Sequence, residues 1–232
     1  MRKMSAAAAA AVVAVCLGGA ALAGDSAQSG FNWSGFYAGG QIGYSWTTAD
    51  HDARWSKSET YNMSNKIDGL AGGLYAGINF HQPRNVVLGI EADVTWRDQP
   101  DRAKEIYAYG YPTGGTSHAE VDWSVGVRGR IGYAIDRVLP YLAVGVAAQN
   151  GRFGYGWDVS GNKDGNFSRD TLVGLTLGAG VDYAIRDNLI ARIDYRYGTF
   201  DKKTVYVGGN PDAPAKIDMD THDLFFGVAY KF

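Results

Sequence analysis

The stretch Leu224-Phe-Phe-Gly-Val-Ala-Tyr-Lys-Phe232, at the end of the chain, decides the fold. Successive side chains of a β-strand point to opposite faces, so alternate residues of this stretch form two stripes. An apolar stripe that ends on an aromatic ring is typical of a strand in a membrane-spanning β-barrel, because that stripe faces lipid. A buried edge strand of a secreted β-sandwich is the alternative interpretation. The apolar stripe consists of Leu224, Phe226, Val228, Tyr230 and Phe232.

Seven segments upstream show the same alternation. In residues 120–135, Val121, Trp123 and Val127 share one face, while Asp122 and Arg128 share the other. A period of two that is sustained over so many segments predicts β-strands and does not fit a helix. The eight predicted strands are residues 36–46, 69–80, 86–97, 120–135, 138–149, 171–185, 189–199 and 224–232.

The connections between these strands alternate in length. The short ones carry Pro, Asn and Asp, which are typical of tight turns. An even strand count with short turns on one side and long loops on the other predicts an all-β, eight-stranded antiparallel up-and-down transmembrane β-barrel. The turns are expected in the periplasm and the loops outside the cell. The short connections are 81–85, 136–137 and 186–188, and the long ones are 47–68, 98–119, 150–170 and 200–217.

The direction of the apolar face separates two kinds of barrel. A secreted lipocalin also has eight alternating strands, but its apolar face points inward. The apolar face of this chain carries bulky rings, among them Trp46, Trp96, Trp123 and Tyr195. The interior of an eight-stranded barrel is only just wide enough for side chains to fill it. We therefore expect the apolar face to point outward, with aromatic residues near the strand ends and glycines and charges inside.

The face expected to line the lumen carries six acidic and six basic side chains. Charges in a narrow interior persist only when they are paired. This balance favours a neutral network that plugs the lumen over a selectivity constriction or a proton path. Glu91 or Asp93 is expected to pair with Arg128 or Arg130 on the next strand. The predicted network consists of Glu91, Asp93, Arg97, Glu120, Asp122, Arg128, Arg130, Asp182, Arg192, Asp194, Arg196 and Lys231.

The N-terminus predicts export from the cytoplasm. Arg2 and Lys3 precede an apolar run over residues 6–17, and Ala21-Leu-Ala23 has the small-x-small pattern of a cleavage site. These features predict a secretory signal peptide over residues 1–23 and a barrel domain over residues 24–232. The chain has one cysteine, Cys16, which would leave with the signal peptide. Disulfides and thiolate metal sites are therefore not expected in the mature protein.

The charge balance excludes one class of partner. The formal net charge is −2, and the sequence pI is about 6.1 with a mean hydropathy of −0.20. No basic patch suggests nucleic-acid binding. The mature part has no apolar run long enough for a transmembrane helix. Barrel strands hide their apolar surface in alternation, so a hydropathy average does not detect them.

No arrangement of residues in the sequence indicates catalysis. Ser117 and His118 are adjacent and Glu120 is close to them, but a hydrolase needs its nucleophile, base and acid aligned by the fold. The histidines, His51, His81, His118 and His222, are scattered, so a metal cluster is not expected. We therefore expect no enzymatic activity and no cofactor.

Aromatic side chains also occur in the long connections. They could hold an extracellular ligand such as haem, a glycan or a host protein, or they could simply pack the loops. Candidate ligand-binding loops are therefore 47–68, 98–119, 150–170 and 200–217. The aromatic residues concerned are Trp55, Tyr61, Tyr107, Tyr109, Tyr111 and Trp157.

Two motifs carry a family resemblance. Asn32-Trp-Ser-Gly-Phe-Tyr-Ala-Gly-Gly-Gln-Ile-Gly-Tyr44 resembles the start of the alphaproteobacterial outer-membrane β-barrel family that includes major surface antigens and "porin family" proteins. Gly227-Val-Ala-Tyr-Lys-Phe232 is similar to the end of that family and to the C-terminal signal read by the barrel assembly machinery. The resemblance implies an eight-stranded barrel like the OmpA membrane domain, integral to the outer membrane, with its loops outside the cell.

The resemblance also implies a function. It indicates a role in envelope integrity and surface interaction, with outer-membrane lipid and the assembly machinery as partners. Some members of the family bind haemin, but no motif in this chain carries that property over. The alternatives are a small diffusion porin, a haem-binding or host-ligand-binding surface protein and, less favoured, a lipid-modifying enzyme.

Overall fold

The computed structural model describes the backbone of residues 30–56, 59–98, 104–108, 111–157, 165–206 and 214–232. The side chains are described for residues 30–48, 67–98, 121–151, 171–200 and 219–232. Within the described part of the chain, no helix is long and apolar enough to cross a membrane. The predicted signal peptide lies outside the described residues. The strands are β1 (Gly35–Ser56), β2 (Glu59–His81), β3 (Val86–Asp98), β4 (Lys104–Ala108), β5 (Tyr111–Tyr133), β6 (Val138–Trp157), β7 (Gly165–Arg186), β8 (Leu189–Tyr206) and β9 (Pro214–Lys231).

Eight of these strands close into an antiparallel barrel. Each barrel strand pairs with its neighbour in sequence, β3 pairs with β5, and β9 returns to pair with β1. The short β4 pairs with the start of β5 and is not part of the ring. The predicted eight-stranded up-and-down barrel is therefore confirmed, and each strand of the ring pairs with a strand on both sides.

Hydrogen bonds join the start of β1, the residue after β9 and the short turns into one rim. The backbone N–H of Phe232 donates to the carbonyl oxygen of Phe36 at 2.9 Å. In the turns, three carbonyl oxygens accept bonds of 2.7–2.9 Å: that of Asn85 from the Ala134 N–H, that of Arg137 from the Ala184 N–H and that of Asn188 from the Lys231 N–H. We call this the short-turn end of the barrel and the opposite end the long-hairpin end.

The strands are longer than predicted at the long-hairpin end. Residues 47–68, 98–119, 150–170 and 200–217 were expected to be loops, but strand pairing continues through most of each described segment. The apolar alternation stops where the outer face no longer needs to be apolar. The backbone ladder continues because each strand still supplies its neighbour with hydrogen-bond partners. The period-two pattern therefore marks only the part of each strand with one apolar face.

The outward direction of the apolar face is confirmed. Ile42, Leu142 and Leu175 on the outer surface are 65%, 64% and 63% exposed, although they are large aliphatic residues. Aromatic side chains lie towards the ends of this apolar belt, as expected. At the short-turn end these exposed rings belong to Phe80, Tyr133, Tyr183, Tyr230 and Phe232, and at the long-hairpin end to Trp46 and Tyr195.

One predicted orientation is wrong because β5 contains a bulge. The register with β6 shifts between Val121, which pairs with Gly151, and Trp123, which pairs with Asn150. An extra residue in one strand reverses the alternation beyond that point. Val121 is consequently 1% exposed inside the barrel instead of facing outward. Asp122 lies at the bulge and is half-buried.

Candidate functional site

The lumen contains a layer of charged side chains at mid-height. Four acidic and four basic residues project into it from β3, β5, β7 and β8, and their side chains are at most 10% exposed. Their alternation along each strand places them on the inner face. We call these eight residues the charged layer. They are Glu91, Asp93, Arg128, Arg130, Asp182, Arg192, Asp194 and Arg196.

Glu91 is the centre of the charged layer and is fully buried. Its Oε1 accepts bonds from Nε and an Nη of Arg128 at 3.0 and 2.6 Å. Its Oε2 accepts from Arg192 at 2.6 Å, from the Tyr37 hydroxyl at 2.7 Å and from Arg130 at 3.3 Å. One carboxylate thus connects three guanidinium groups. Charge-assisted bonds of this length are the strong ones.

The other carboxylates extend the same network. Asp182 accepts bonds from Arg130 at 2.6 Å and from Nε of Arg192 at 2.7 Å. Asp194 accepts from Arg128 at 2.7 Å, from Nε of Arg196 at 2.6 Å and from the Tyr141 hydroxyl at 2.9 Å.

Asp93 pairs with Arg196 at 2.9 Å, so each acid of the charged layer meets at least one base. Desolvated charges need such compensation, because removing one partner leaves a buried charge that nothing neutralises.

Tyrosine rings cover the guanidinium groups of Arg130 and Arg192. The Arg130 Cζ lies 3.9 Å from the centroid of the Tyr141 ring, and the Arg192 Cζ lies 4.3 Å from that of Tyr75. A cation over an aromatic face gains energy from the ring quadrupole, and more so when it is desolvated. Tyr37, Tyr75 and Tyr141 therefore help to hold the arginines, a role that the sequence did not indicate.

A separate ion pair lies between the charged layer and the long-hairpin end. Arg97 donates to Asp223 at 2.8 Å and to the hydroxyls of Ser124 and Ser45 at 2.8 and 3.2 Å. Asp223 was not predicted, because the expected last strand began one residue later. A cavity of about 30 Å³ lies between this pair and the charged layer. It has room for ordered water and is far smaller than a channel.

Two apolar layers enclose the polar part of the lumen. The lower apolar layer, at the short-turn end, consists of Phe31, Trp33, Tyr37, Tyr75, Val87, Ala134, Leu139, Ala184, Ile190 and Ala229. The upper apolar layer, towards the long-hairpin end, consists of Ile67, Val121, Leu172, Phe200 and Met219. The bulge in β5 places Val121 in this upper layer. Phe31 and Trp33 come from the segment before β1, where only Trp33 was part of the family motif.

Besides Arg97, two residues of the predicted charge network, Asp122 and Lys231, lie outside the charged layer. Asp122 is at the bulge of β5, six residues before Arg128. The alternation of side chains is reversed at the bulge, so Asp122 does not join the charged layer. Lys231 lies at the short-turn end, with its Nζ 5.6 Å from the centroid of the Phe31 ring. The backbone of Glu120 pairs with that of Arg152, and its side chain is outside the described residues.

Only some of the catalytic and histidine candidates have described side chains. Ser117 and His118 lie on β5, opposite Tyr155 and Gly154 of β6, and their side chains are not among those described. His222 lies on the outer surface, where its Nδ1 is 2.7 Å from the Tyr195 hydroxyl. Among the described residues, no group of three His, Cys, Asp or Glu side chains could hold a metal ion.

The residues of the expected assembly signal form one stripe on the outer surface of β9. Phe226, Val228 and Tyr230 are 55%, 52% and 49% exposed, and Phe232 is 74% exposed. Leu224 is half-buried on the same face. The Tyr230 and Phe232 rings meet edge to face, with their centroids 5.0 Å apart. This stripe is presented to the surroundings of the barrel and not to its lumen.

A closed barrel with an apolar exterior and a charged interior defines an integral membrane β-barrel protein. Residues 7–232 match the family model of the outer membrane protein beta-barrel domain, and the chain belongs to that family. The expected family resemblance and the outer-membrane location are therefore confirmed.

Named relatives show the same class of protein. The 31 kDa outer-membrane immunogenic protein of Brucella melitensis biotype 1 is 30% identical over 210 residues, which cover 87% of this chain and 85% of the relative. The 25 kDa outer-membrane immunogenic protein of Brucella abortus biovar 1 is 29% identical over 204 residues, covering 87% and 80%. The crystal structure of OprG from Pseudomonas aeruginosa has a TM-score of 0.53 at 12% identity, covering 87% of this chain and 98% of that one, and shows the fold alone.

Proposed function

We propose that this protein is a closed structural barrel of the outer membrane that displays strand hairpins at the cell surface. The observation that carries the proposal is the filling of the lumen, in which the charged layer lies between two apolar layers. The role is structural and interactive, with outer-membrane lipid and the assembly machinery as partners. The relatives are named for immunogenicity and not for a reaction, which supports a role without catalysis.

The charged layer opposes ion flow through the barrel. An ion that crossed it would have to separate buried carboxylate–guanidinium pairs such as Glu91–Arg192 and Asp194–Arg196, both at 2.6 Å. Separating one such partner leaves an uncompensated buried charge, which costs about 3–5 kcal/mol. The apolar layers on both sides add a barrier, because an ion would lose its hydration there. The small diffusion porin expected as an alternative is therefore not favoured.

The hairpins extend well beyond the apolar belt. β1 continues from residue 47 to residue 56 after Trp46 of the outer aromatic group, and β2 runs beside it. Strands rise about 3.3 Å per residue and tilt about 40° in such barrels. This part of the hairpin thus reaches roughly 25 Å along the membrane normal. Such projections are suited to contact with extracellular molecules. The candidate ligand-binding segments are therefore still residues 47–68, 98–119, 150–170 and 200–217.

Conductance across planar bilayers tests the closed lumen. The purified, refolded barrel is expected to show no large, steady current. Arg128→Ala removes the partner shared by Glu91 and Asp194 and is expected to produce a measurable leak. Asp187→Asn is the matched control, since it removes an ion pair whose Asp187 side chain is 89% exposed. A wild-type barrel with large, steady conductance would overturn the proposal and establish the diffusion pore.

A further inference from the structure

Residues 30–34, which we call the N-terminal strap, lie beneath the lumen at the short-turn end. The strap precedes β1 and is not part of the sheet. Its two aromatic side chains are nevertheless buried, with Trp33 only 1% and Phe31 9% exposed. Both belong to the lower apolar layer and pack with residues such as Leu139 and Ala184. The strap therefore fills the mouth of the barrel at this end.

Specific hydrogen bonds attach the strap to distant parts of the chain. The Trp33 indole N–H donates to the carbonyl oxygen of Asp136 at 3.0 Å, and the Phe31 backbone N–H donates to Asp136 Oδ1 at 3.3 Å. The backbone N–H of His81 donates to Ser34 Oγ at 2.9 Å. Asp136 lies in the turn between β5 and β6, more than 100 residues away in sequence. The position of the strap therefore depends on tertiary contacts with the β5–β6 turn and the end of β2.

Two cationic side chains hold the outer aromatic ring of the strap. The centroid of the Phe31 ring lies 5.8 Å from the Arg137 Cζ and 5.6 Å from the Lys231 Nζ. The same ring meets the Trp33 ring edge to face, with centroids 4.7 Å apart. Lys231, which was predicted to join the charge network, lies beside the strap instead.

The strap is joined to β1 by a residue suited to a hinge. Gly35 has φ of 122°, a left-handed backbone conformation that glycine adopts readily and other residues rarely do. The ladder between β1 and β2 begins at Gly35, which pairs with Asn79, and that between β1 and β9 begins at Tyr37, which pairs with Lys231. The strap can therefore leave the lumen without breaking the ladders that close the barrel.

From this geometry we propose that the N-terminal strap is a hinged plug that seals the short-turn mouth and can leave it while the barrel stays folded. The short-turn end is expected to face the periplasm. Departure of the strap would expose the floor of the lumen to that side, while the charged layer above stays intact. This inference rests on one part of the proposed function: the charged layer blocks passage through the barrel whether the strap is docked or not.

Cysteine labelling tests the plug in the mature chain, which lacks Cys16 once residues 1–23 are removed. Ala184→Cys places the only thiol in the lower apolar layer, where Ala184 is 0% exposed. With the native strap, we expect slow labelling of the folded barrel by a water-soluble maleimide. The double change Phe31→Ala and Trp33→Ala should accelerate labelling about tenfold or more, because local opening sets access to a buried thiol.

Two controls limit the interpretation. Thr221 lies in the lumen towards the long-hairpin end and is 3% exposed. The labelling rate of Thr221→Cys should be the same with the native strap and with the doubly substituted strap. Asn32→Ala changes an exposed residue of the strap whose Oδ1 accepts a bond from the Ser34 backbone N–H at 2.9 Å, and should leave the labelling of the cysteine at position 184 unchanged. Heat-modifiable migration on a gel establishes in each case that the barrel is folded.

The labelling rates decide whether the strap seals the mouth, and they do so independently of the conductance test of the closed lumen. Fast labelling in the folded double variant, with no new conductance, supports a hinged plug below an intact charged layer. Equal labelling rates with and without the aromatic residues would show that the strap does not seal the mouth. Loss of the folded barrel in the double variant would show that the strap is an integral part of the barrel, and would overturn the hinge.

Discussion

Glu91→Gln provides the strongest test of the charged layer. The substitution preserves the size of the side chain and removes one negative charge. The charged layer contains four acids and four bases, so the variant would bury one uncompensated positive charge. Glu91 is 0% exposed and contacts Arg128 and Arg192 at 2.6 Å and Arg130 at 3.3 Å. Loss of one partner from a buried ion pair lowers the free energy of unfolding by about 3–5 kcal/mol.

The assay is reversible urea unfolding of the barrel in lipid vesicles, followed by tryptophan fluorescence. With a urea dependence of about 2 kcal/mol per molar, the midpoint should fall by roughly 1.5–2.5 M. Asp187→Asn removes the same type of charge from an exposed pair with Arg137, and its effect should stay at or below about 1 kcal/mol. A Glu91→Gln effect as small as that of Asp187→Asn would refute the desolvated, mutually compensating network.

A second change tests whether charge balance is the cause. Arg192→Met removes one guanidinium group and, in combination with Glu91→Gln, restores equal numbers of acids and bases. Residues in one network are not additive, so the double variant should be more stable than the sum of the two single effects by about 0.5–3 kcal/mol. Strict additivity would show that Glu91 and Arg192 contribute independently, in disagreement with their 2.6 Å contact.

Three further predictions concern the barrel wall. Val127 is 52% exposed on the outer surface, so Val127→Arg should lower the free energy of unfolding in vesicles by about 2–4 kcal/mol, whereas Val127→Leu should change it little. A loss well under 1 kcal/mol would contradict the lipid-facing position. Phe232→Asp should block membrane insertion and leave a protease-sensitive form, and normal heat-modifiable migration of this variant would be the contrary result. A Cβ atom at Gly43 would lie 2.0 Å from the carbonyl oxygen of Leu224, so Gly43→Ala should lower the free energy of unfolding by about 1–3 kcal/mol. The matched control is Gly72→Ala on the outer face, where the nearest atom to the added Cβ would be 3.6 Å away. Equal effects of the two changes would count against a crowded lumen.

The sequence by itself determined the apolar part of each barrel strand and, apart from the region of the β5 bulge, the direction of its faces. Alternation along the strand is a local property of the backbone, and it placed Ile42 and Leu175 outside and Glu91 inside the barrel. It also predicted that Glu91 or Asp93 would meet Arg128 or Arg130 of the adjoining strand, and the structure contains the Glu91–Arg128 contact at 2.6 Å. Pairing of neighbouring strands follows directly from an up-and-down order, so such contacts are accessible to sequence reasoning.

Only the tertiary structure decided which charges meet across the lumen. Glu91 on β3 contacts Arg192 on β8 at 2.6 Å, and these two strands lie on opposite sides of the ring. Arg128 on β5 likewise reaches Asp194 on β8 at 2.7 Å. These contacts depend on the diameter of the barrel and on the relative stagger of strands that are not neighbours. No local pattern contains that information.

The alternation of apolar and polar residues also could not predict the bulge in β5 or the position of the strap. Val121 continues the apolar pattern of β5, and its inward position follows from one extra residue opposite Gly151 and Asn150 of β6. Trp33 lies outside every strand, so no periodicity could indicate its burial. Its position depends on the closed rim that supplies Asp136 as an acceptor at 3.0 Å. The sequence therefore determined the wall of the barrel, because strand alternation is local, while closure of the ring decided how its interior is filled.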